Sequence, residues 1–358
     1  MIKILKIKGR EMNLPGFFPD ATVGFVRGVD SEDLVKCHIE GLVVNTYHLL
    51  HNDLIEHINS QGGIHNHMAF PGIIISDSGG FQVMSLIRKD SKYGRITDEG
   101  AEFILDGKKV FLTPEKCIQL QIKIGSDIIM CLDDCTEPHL PKEEQEKSVK
   151  RTIAWAKKCK EEFQKQTRNL SEDKRPLLFG IIQGGNNLEL RKKCADALKE
   201  INFDGYAFGG WPIDENKEFL GDLLEYTCKL MPENKLKYAM GIGKPENIVA
   251  CTKMGYDMFD CVIPTREARN NRLYAFKKGL IGLKKLSSKN NFYKYVRVRN
   301  GEYINDKNPI SKYCDSICCK NYSCADIYNL FKKKDRLSIK LATMHNLRFY
   351  TMLMDRLR

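Results

Sequence analysis

Three aspartates stand where short apolar runs end. Asp77 follows Ile73-Ile74-Ile75-Ser76, Asp133 follows Ile128-Ile129-Met130-Cys131-Leu132, and Asp260 follows Met258-Phe259. Two carboxylates facing each other across a pocket can divide nucleophile and acid/base roles at a glycosidic carbon. Asp77 and Asp260 are 183 residues apart, so only a fold that gathers strand ends would pair them. Directly after Asp77 come Ser78-Gly79-Gly80-Phe81-Gln82. Glycines let a planar ligand approach the backbone, and an aromatic ring offers a stacking face. Gln183-Gly184-Gly185 and Gly209-Gly210 repeat the theme. A carboxylate, the Gln183 amide, the Gly210 N–H and an aromatic ring together suit a guanine-like base, whose N–H donors match a carboxylate and whose carbonyl matches amide donors.

Two further groups carry chemistry. Arg266, Arg269 and Arg272 follow Asp260 closely and read as phosphate clamps. Cys314, Cys318 and Cys319 crowd together with Cys324, and His345 lies 26 positions after Cys319. A cysteine cluster with a distant histidine is an acceptable zinc arrangement. The other nine of the 13 cysteines are scattered singly and read as small buried hydrophobes, which points to a reduced, cytoplasmic compartment.

The elements that must position these residues recur across residues 40–262. Seven short apolar runs each end in a polar residue or glycine, with helical segments such as Lys142–Gln166, Leu188–Ile201, Glu215–Leu230 and Glu246–Met254 between several of them. Continuous apolar runs mark strands buried on both faces, and alternation of strand and helix gives a parallel sheet. With an eighth strand still to be located, the pattern predicts an α/β protein, a (β/α)8 TIM barrel with chemistry at the strand C-termini. No G-x-G-x-x-G follows a first strand and no phosphate-loop motif occurs, so nucleotide-cofactor folds are disfavoured. After Asp260 the texture changes to short strands with turns at Lys277-Lys278-Gly279 and Lys284-Lys285, then helices from Tyr322 onwards.

Charge divides the same way. Of 358 residues, 57 are Lys or Arg and 46 Asp or Glu, a net charge of +11. Residues 266–358 hold 22 Lys and Arg against 7 Asp and Glu, so a near-neutral body carries a basic last quarter suited to a nucleic-acid backbone. The expected organisation is a main barrel over 1–265 and a basic, zinc-binding subdomain with closing helices over 266–358. No apolar run approaches membrane-spanning length, and Met1–Lys8 lacks the features of a secretory signal.

Several unrelated segments, in order, resemble the bacterial-type tRNA-guanine transglycosylases. They are Asn45-Thr46-Tyr47-His48-Leu49, Asp77–Leu86, Phe179–Gly185, Asp257–Arg266 and Ala342–Tyr350. The resemblance implies a barrel with one structural Zn2+ per chain and no redox or nucleotide cofactor. It would work as a homodimer on tRNA, replacing guanine at the anticodon wobble position with a 7-deazaguanine on the path to queuosine. Carried over, Asp260 is the nucleophile that forms a covalent ribose intermediate, and Asp77 is the proton acceptor. Asp133, Gln183 and Gly210 read the base edge, Phe81 stacks on one face and Met240 packs near the other. The stretches Gly241-Ile242-Gly243-Lys244-Pro245-Glu246-Asn247 and Thr265-Arg266-Glu267-Ala268-Arg269 correspond to anticodon-contacting segments.

The chain departs from the family pattern in three places. The zinc pattern C-x-C-x2-C is met by Cys314 and Cys319, with His345 further on, but its middle position is Ser316, for which Cys318 is the available replacement. Gly-Gly-Leu-x-Val-Gly-Glu becomes Gly209-Gly210-Trp211-Pro212-Ile213-Asp214-Glu215, and the N-terminal Pro-Val-Phe-Met-Pro-Val-Gly becomes Phe17-Phe18-Pro19-Asp20-Ala21. The bulk of Cys135 and Ile213 favours a compact 7-substituent such as aminomethyl over queuine. The alternatives are a paralog with another deazapurine, or a non-catalytic tRNA-binding subunit of a heteromeric enzyme, against which the presence of both Asp77 and Asp260 weighs.

Overall fold

The computed structural model describes residues 3–137, 140–277 and 291–358. Of the turns expected at Lys277-Lys278-Gly279 and Lys284-Lys285, all residues but Lys277 lie outside them. Eight parallel strands form one sheet: β1 Gly16–Pro19, β2 Gly41–Asn45, β3 Ile73–Asp77, β4 Ile128–Met130, β5 Leu177–Ile182, β6 Gly205–Phe208, β7 Leu236–Ala239 and β8 Met258–Cys261. Their order is β1-β8-β7-β6-β5-β4-β3-β2. The sheet closes where Asp20 bridges Val43 and the Ala21 N–H donates to the Val43 carbonyl at 2.7 Å. The seven expected strands are all present. The eighth, β1, had no apolar run to mark it, because its four residues Gly-Phe-Phe-Pro are too short to show a period.

A ring of helices covers the barrel: α1 Ser31–Lys36, α2 Leu54–Ser60, α3 Pro114–Ile124, α4 Lys142–Thr167, α5 Leu188–Ile201, α6 Gly221–Leu230, α7 Pro245–Met254 and α8 Arg336–Leu357. The last helix returns from the basic end of the chain and packs on β1, with Tyr350 against Phe17 at 4.7 Å between ring centroids. The helix expected from Glu215 begins only at Gly221. Before it, the Asp214 side chain accepts the Glu218 N–H at 2.7 Å and Ile213 bridges Phe219, a local turn that competes with helix.

The barrel interior is one layered cluster. Phe18, Val43, Ile73, Ile75, Met130, Phe179, Ile181, Ala207, Leu236, Tyr238 and Met258 fill it, and Leu5, Ile7, Met12 and Leu14 from an N-terminal hairpin plug its lower mouth. Strand side chains alternate in and out, so the next inward position on each strand lies at the upper mouth. Counting on by two from these core residues gives Asp20, Asn45, Asp77, Gln183, Gly209, Met240 and Asp260; on β4, which ends at Met130, the count gives the buried Leu132, and Asp133 lines the mouth instead. Apolar filling below thus dictates a polar ring above.

Two antiparallel additions decorate the barrel. Three strands, Gly94–Ile96, Ala101–Leu105 and Lys108–Leu112, follow β3. A two-stranded ribbon, Arg272–Phe276 with Tyr293–Arg297, follows β8 and leads to the helices Ile317–Asn321 and Cys324–Lys332. No described helix is long and apolar enough to cross a membrane.

Candidate active site and metal centre

The polar ring opens on a cavity of about 570 Å3 lined by Asp77, Phe81, Asp133, Gln183, Gly210, Met240 and Asp260, among others. Of the substrate-binding residues expected from the sequence, Asp77, Phe81, Asp133, Gln183, Gly210 and Met240 border this space, whereas Ser78, Gly79 and Gly80 do not. Asp77 ends β3, and Gly79 makes the sharp turn that follows. Gly79 has φ +79°, and a Cβ there would stand 2.6 Å from the Tyr47 nitrogen, so only glycine fits. Ser78 is buried and turns its hydroxyl to the Gly80 N–H at 3.1 Å, while the Phe81 ring stands at the mouth.

Each acid has different partners. Asp260 receives the Tyr238 hydroxyl at 2.7 Å and the Gly241 N–H at 2.8 Å, both on Oδ1. Burial raises its pKa to about 6 against the pull of these donors. Asp77 accepts the Asn45 amide at 2.8 Å and the backbone N–H groups of Ser78 and Gly79. Burial, followed by the charge of Asp260, pushes its pKa to about 7. Asp133 accepts the Gln183 amide at 2.6 Å and its own backbone N–H, and burial raises it to about 7 as well. Its neighbour Asp134 is clasped instead by Arg88 and Arg151. Two acids poised near neutrality beside one lower is a pattern that separates proton donor from nucleophile.

The sequence pattern did not single out Asn45 or Tyr238 as partners of the two acids. Tyr238 could have been found as the one inward-facing hydroxyl in an otherwise apolar strand position. Trp211 lies edge-on to Phe81, with 5.4 Å between ring centroids, and Cys135, Pro212 and Ile213 border the same space.

The basic stretches are only partly presented. In Gly241–Asn247, Lys244 and Gly241 are exposed, Ile242, Gly243, Pro245 and Asn247 are buried, and Glu246 accepts the Tyr293 hydroxyl at 2.7 Å. In Thr265–Arg269, Arg266 is exposed and Arg269 half-buried, whereas Thr265, Glu267 and Ala268 are buried. Arg272 pairs with Glu267 and lies over the Tyr295 ring, so of the three arginines it is the one already engaged.

At the basic end, the sulfurs of Cys314 and Cys319 and a ring nitrogen of His345 lie within 4.8 Å of one another. His345 Nδ1 is 3.2 Å from the Cys319 sulfur, and its Nε2 is 2.6 Å from the Tyr274 carbonyl, which fixes the ring with Nδ1 inward. Two thiolates and an imidazole are a zinc-type donor set. The Ser316 hydroxyl sits 3.2 Å from the Cys314 sulfur. Cys318 is fully buried beside Cys319 and falls outside the converging set.

Fold and site together define a parallel barrel of the enzyme type, with a carboxylate-lined pocket at its strand C-termini. The sequence profile of the family described as Queuine tRNA-ribosyltransferase matches residues 2–358. A queuine tRNA-ribosyltransferase of a Psychrobacter species is 39% identical over 97% of this chain and 86% of its own length. Those of Acinetobacter baylyi and a Shewanella species are each 40% identical over 96% of this chain, covering 83% and 86% of their own lengths. The chain belongs to the queuine tRNA-ribosyltransferase family.

Proposed function

We propose that the protein exchanges guanine at the wobble position of a tRNA anticodon for a 7-deazaguanine carrying a compact 7-substituent such as aminomethyl. The observation that carries this reading is the pairing of Asp77 and Asp260 on separate strand ends of one base-sized cavity. Both donors to Asp260 address Oδ1, which leaves Oδ2 for attack. Oδ2 bonds to the ribose anomeric carbon as the bond to the guanine N9 breaks, and that bond's electron pair leaves with the purine. The neutral Asp77 carboxyl supplies a proton to the departing base. The incoming base returns one from its ring N–H to Asp77, its nitrogen attacks the same carbon, and the Asp260 ester bond breaks. Asp133, Gln183 and the Gly210 N–H read the base edge, Phe81 stacks on its face, and Met240 packs opposite.

Lys244, Arg266 and Arg269 would hold the RNA backbone beside Asp260. Zinc held by Cys314, Cys319 and His345 would cross-link the ribbon and helices to α8, its fourth corner taken by the Ser316 hydroxyl or, after a turn of its side chain, by Cys318. We further place the protein in the cytoplasm as a homodimer, which light scattering checks directly. Exchange of labelled guanine into tRNA tests the activity. The purified protein should incorporate label and form a denaturation-resistant tRNA adduct that Asp260→Ala abolishes. No exchange and no adduct from the unaltered protein would leave the non-catalytic subunit reading in its place.

A further inference from the structure

Arg191 is a fully buried cation that no carboxylate among the described residues approaches within ion-pair distance. It rises from the first turn of α5, whose N-terminus Asn187 caps through the Leu190 N–H at 3.1 Å. Its guanidinium is spent entirely on backbone carbonyls: Nε donates to Gly185 at 2.8 Å, one terminal nitrogen to Ile182 at 3.2 Å and the other to Gly209 at 3.1 Å. Its flat face rests over the Phe208 ring at 4.3 Å. Burial lowers its pKa to about 10, so it remains charged at neutral pH. Gly184 packs against the helix start that carries it, for a Cβ there would lie 2.6 Å from the Arg191 backbone nitrogen and 2.8 Å from its Cγ.

An unpaired buried cation is costly unless its surroundings use the charge. Its three carbonyls belong to the ends of β5 and β6, the two strands whose next residues border the cavity. The Gly209 carbonyl and the Gly210 N–H are two ends of one peptide unit. A cation on the oxygen draws electron density along that unit and makes the N–H a stronger donor.

We propose that Arg191 is a positioning residue that joins the Gln183 and Gly210 loops and polarises the Gly209–Gly210 peptide, so that the Gly210 N–H stabilises negative charge on the purine carbonyl oxygen as the glycosidic bond breaks. This rests on the base-exchange reading. When the carbon–nitrogen bond breaks, its electron pair enters the purine ring and part of the charge reaches that oxygen. A donor tuned for this moment acts more on the transition state than on the bound base.

Arg191→Gln and Arg191→Lys are compared with the unaltered protein in labelled-guanine exchange, together with calorimetric binding of guanine alone. The expected result is a kcat lowered about 10- to 100-fold in Arg191→Gln, with guanine affinity lowered less than kcat, and a smaller loss in Arg191→Lys, which keeps the charge but not the three-way geometry. Equal losses in kcat and guanine affinity, or wild-type kcat in either variant, would overturn the proposal. If neither variant folds, glycine-selective 15N labelling of the unaltered protein still decides. The Gly210 amide proton should move downfield on guanine addition, and one that stays in place overturns the proposal. An unaltered protein that exchanges no guanine defeats the base-exchange reading itself, whereas normal exchange with insensitive Arg191 variants defeats only this inference.

Discussion

Tyr238→Phe removes one of the two donors on Asp260 while keeping the ring that fills the barrel layer. A hydrogen bond to a charged group is worth about 1.5–3 kcal/mol, or about one to two pKa units. The bond favours the ionised form, so its loss raises the Asp260 pKa from about 6 to roughly 7–8. In the proposed exchange, attack needs Asp260 ionised and Asp77, with its pKa of about 7, protonated. With the two values one unit apart, this population peaks near pH 6.5 at roughly 60% of molecules. In the variant the order closes or inverts, and the peak falls to between about 25% and 6%, at a pH about half to one unit higher. The rate of tRNA adduct formation, measured across pH 5–9, should therefore lose about two- to tenfold at its optimum, with the acidic limb displaced upward. A profile unchanged in position and height, or one lowered equally at every pH, would refute the assignment of Asp260 as the group that must ionise.

Trp211 borders the cavity, whereas Trp155 is buried with its Nε1 donating to the Asp98 carbonyl at 2.7 Å. Guanine should therefore change the tryptophan emission of the unaltered protein but not of Trp211→Phe, and Trp211→Leu should widen the range of 7-substituents accepted in competition assays. Cys314→Ala should lose the metal in elemental analysis of the purified protein. Cys318→Ala should keep it, since Cys318 lies outside the converging set, and loss there would instead assign the fourth corner to Cys318. Replacing Arg266 and Arg269 with alanine should weaken tRNA binding and reduce the salt slope of log K by about 0.7 for each phosphate no longer neutralised. Thermal melts of Asp133→Asn test the cost of burying that acid. A folded pKa of about 7 against an ordinary 3.8 costs no stability below pH 4, a growing amount from pH 4 to 7, and the full amount, about 4 kcal/mol, above pH 7. The variant should melt higher than the unaltered protein at pH 8 and equally at pH 4.

The fold was legible because strands buried on both faces write themselves as apolar runs, and seven such runs with helices between them leave few architectures. Asp77 and Asp260 were legible because a polar residue ending such a run must sit at a strand C-terminus. What stayed hidden depended on contacts between distant segments. Nothing local in Gly-Phe-Phe-Pro marks β1, whose place is set by pairing with β8. Arg272 reads as a free arginine until Glu267 is seen beside it. Arg191, in a helix of ordinary pattern, gives no sign that its side chain turns inward beneath two loops, and a charged residue at such a position is more often on the surface. Cys318 counted as a metal candidate because Ser316 stands at the pattern's middle cysteine position, and only the folded cluster separates it from Cys314, Cys319 and His345.

The placing of charge around the pocket follows one rule. Asp133 and Asp134 are adjacent, yet two arginines hold Asp134 while Asp133 has neutral donors, the Gln183 amide and its own backbone N–H. Had Arg88 reached Asp133 instead, that carboxylate would be satisfied before any base arrived, and adjacent N–H donors on a purine would gain nothing by meeting it. The same separation leaves Asp77 with the Asn45 amide and backbone N–H groups, and gives Asp260 a phenol and one N–H. No cation among the described residues pairs with any of the three, and the buried Arg191, close behind the Gln183 and Gly210 loops, is turned toward carbonyls. Partial donors hold each acid in place without fixing its charge. A full ion pair would lower the pKa of Asp77 and take away the proton it has to exchange. The barrel therefore keeps its arginines one residue or one layer away from the acids that would change state in base exchange, and burial, unopposed by a paired cation, raises their pKa values.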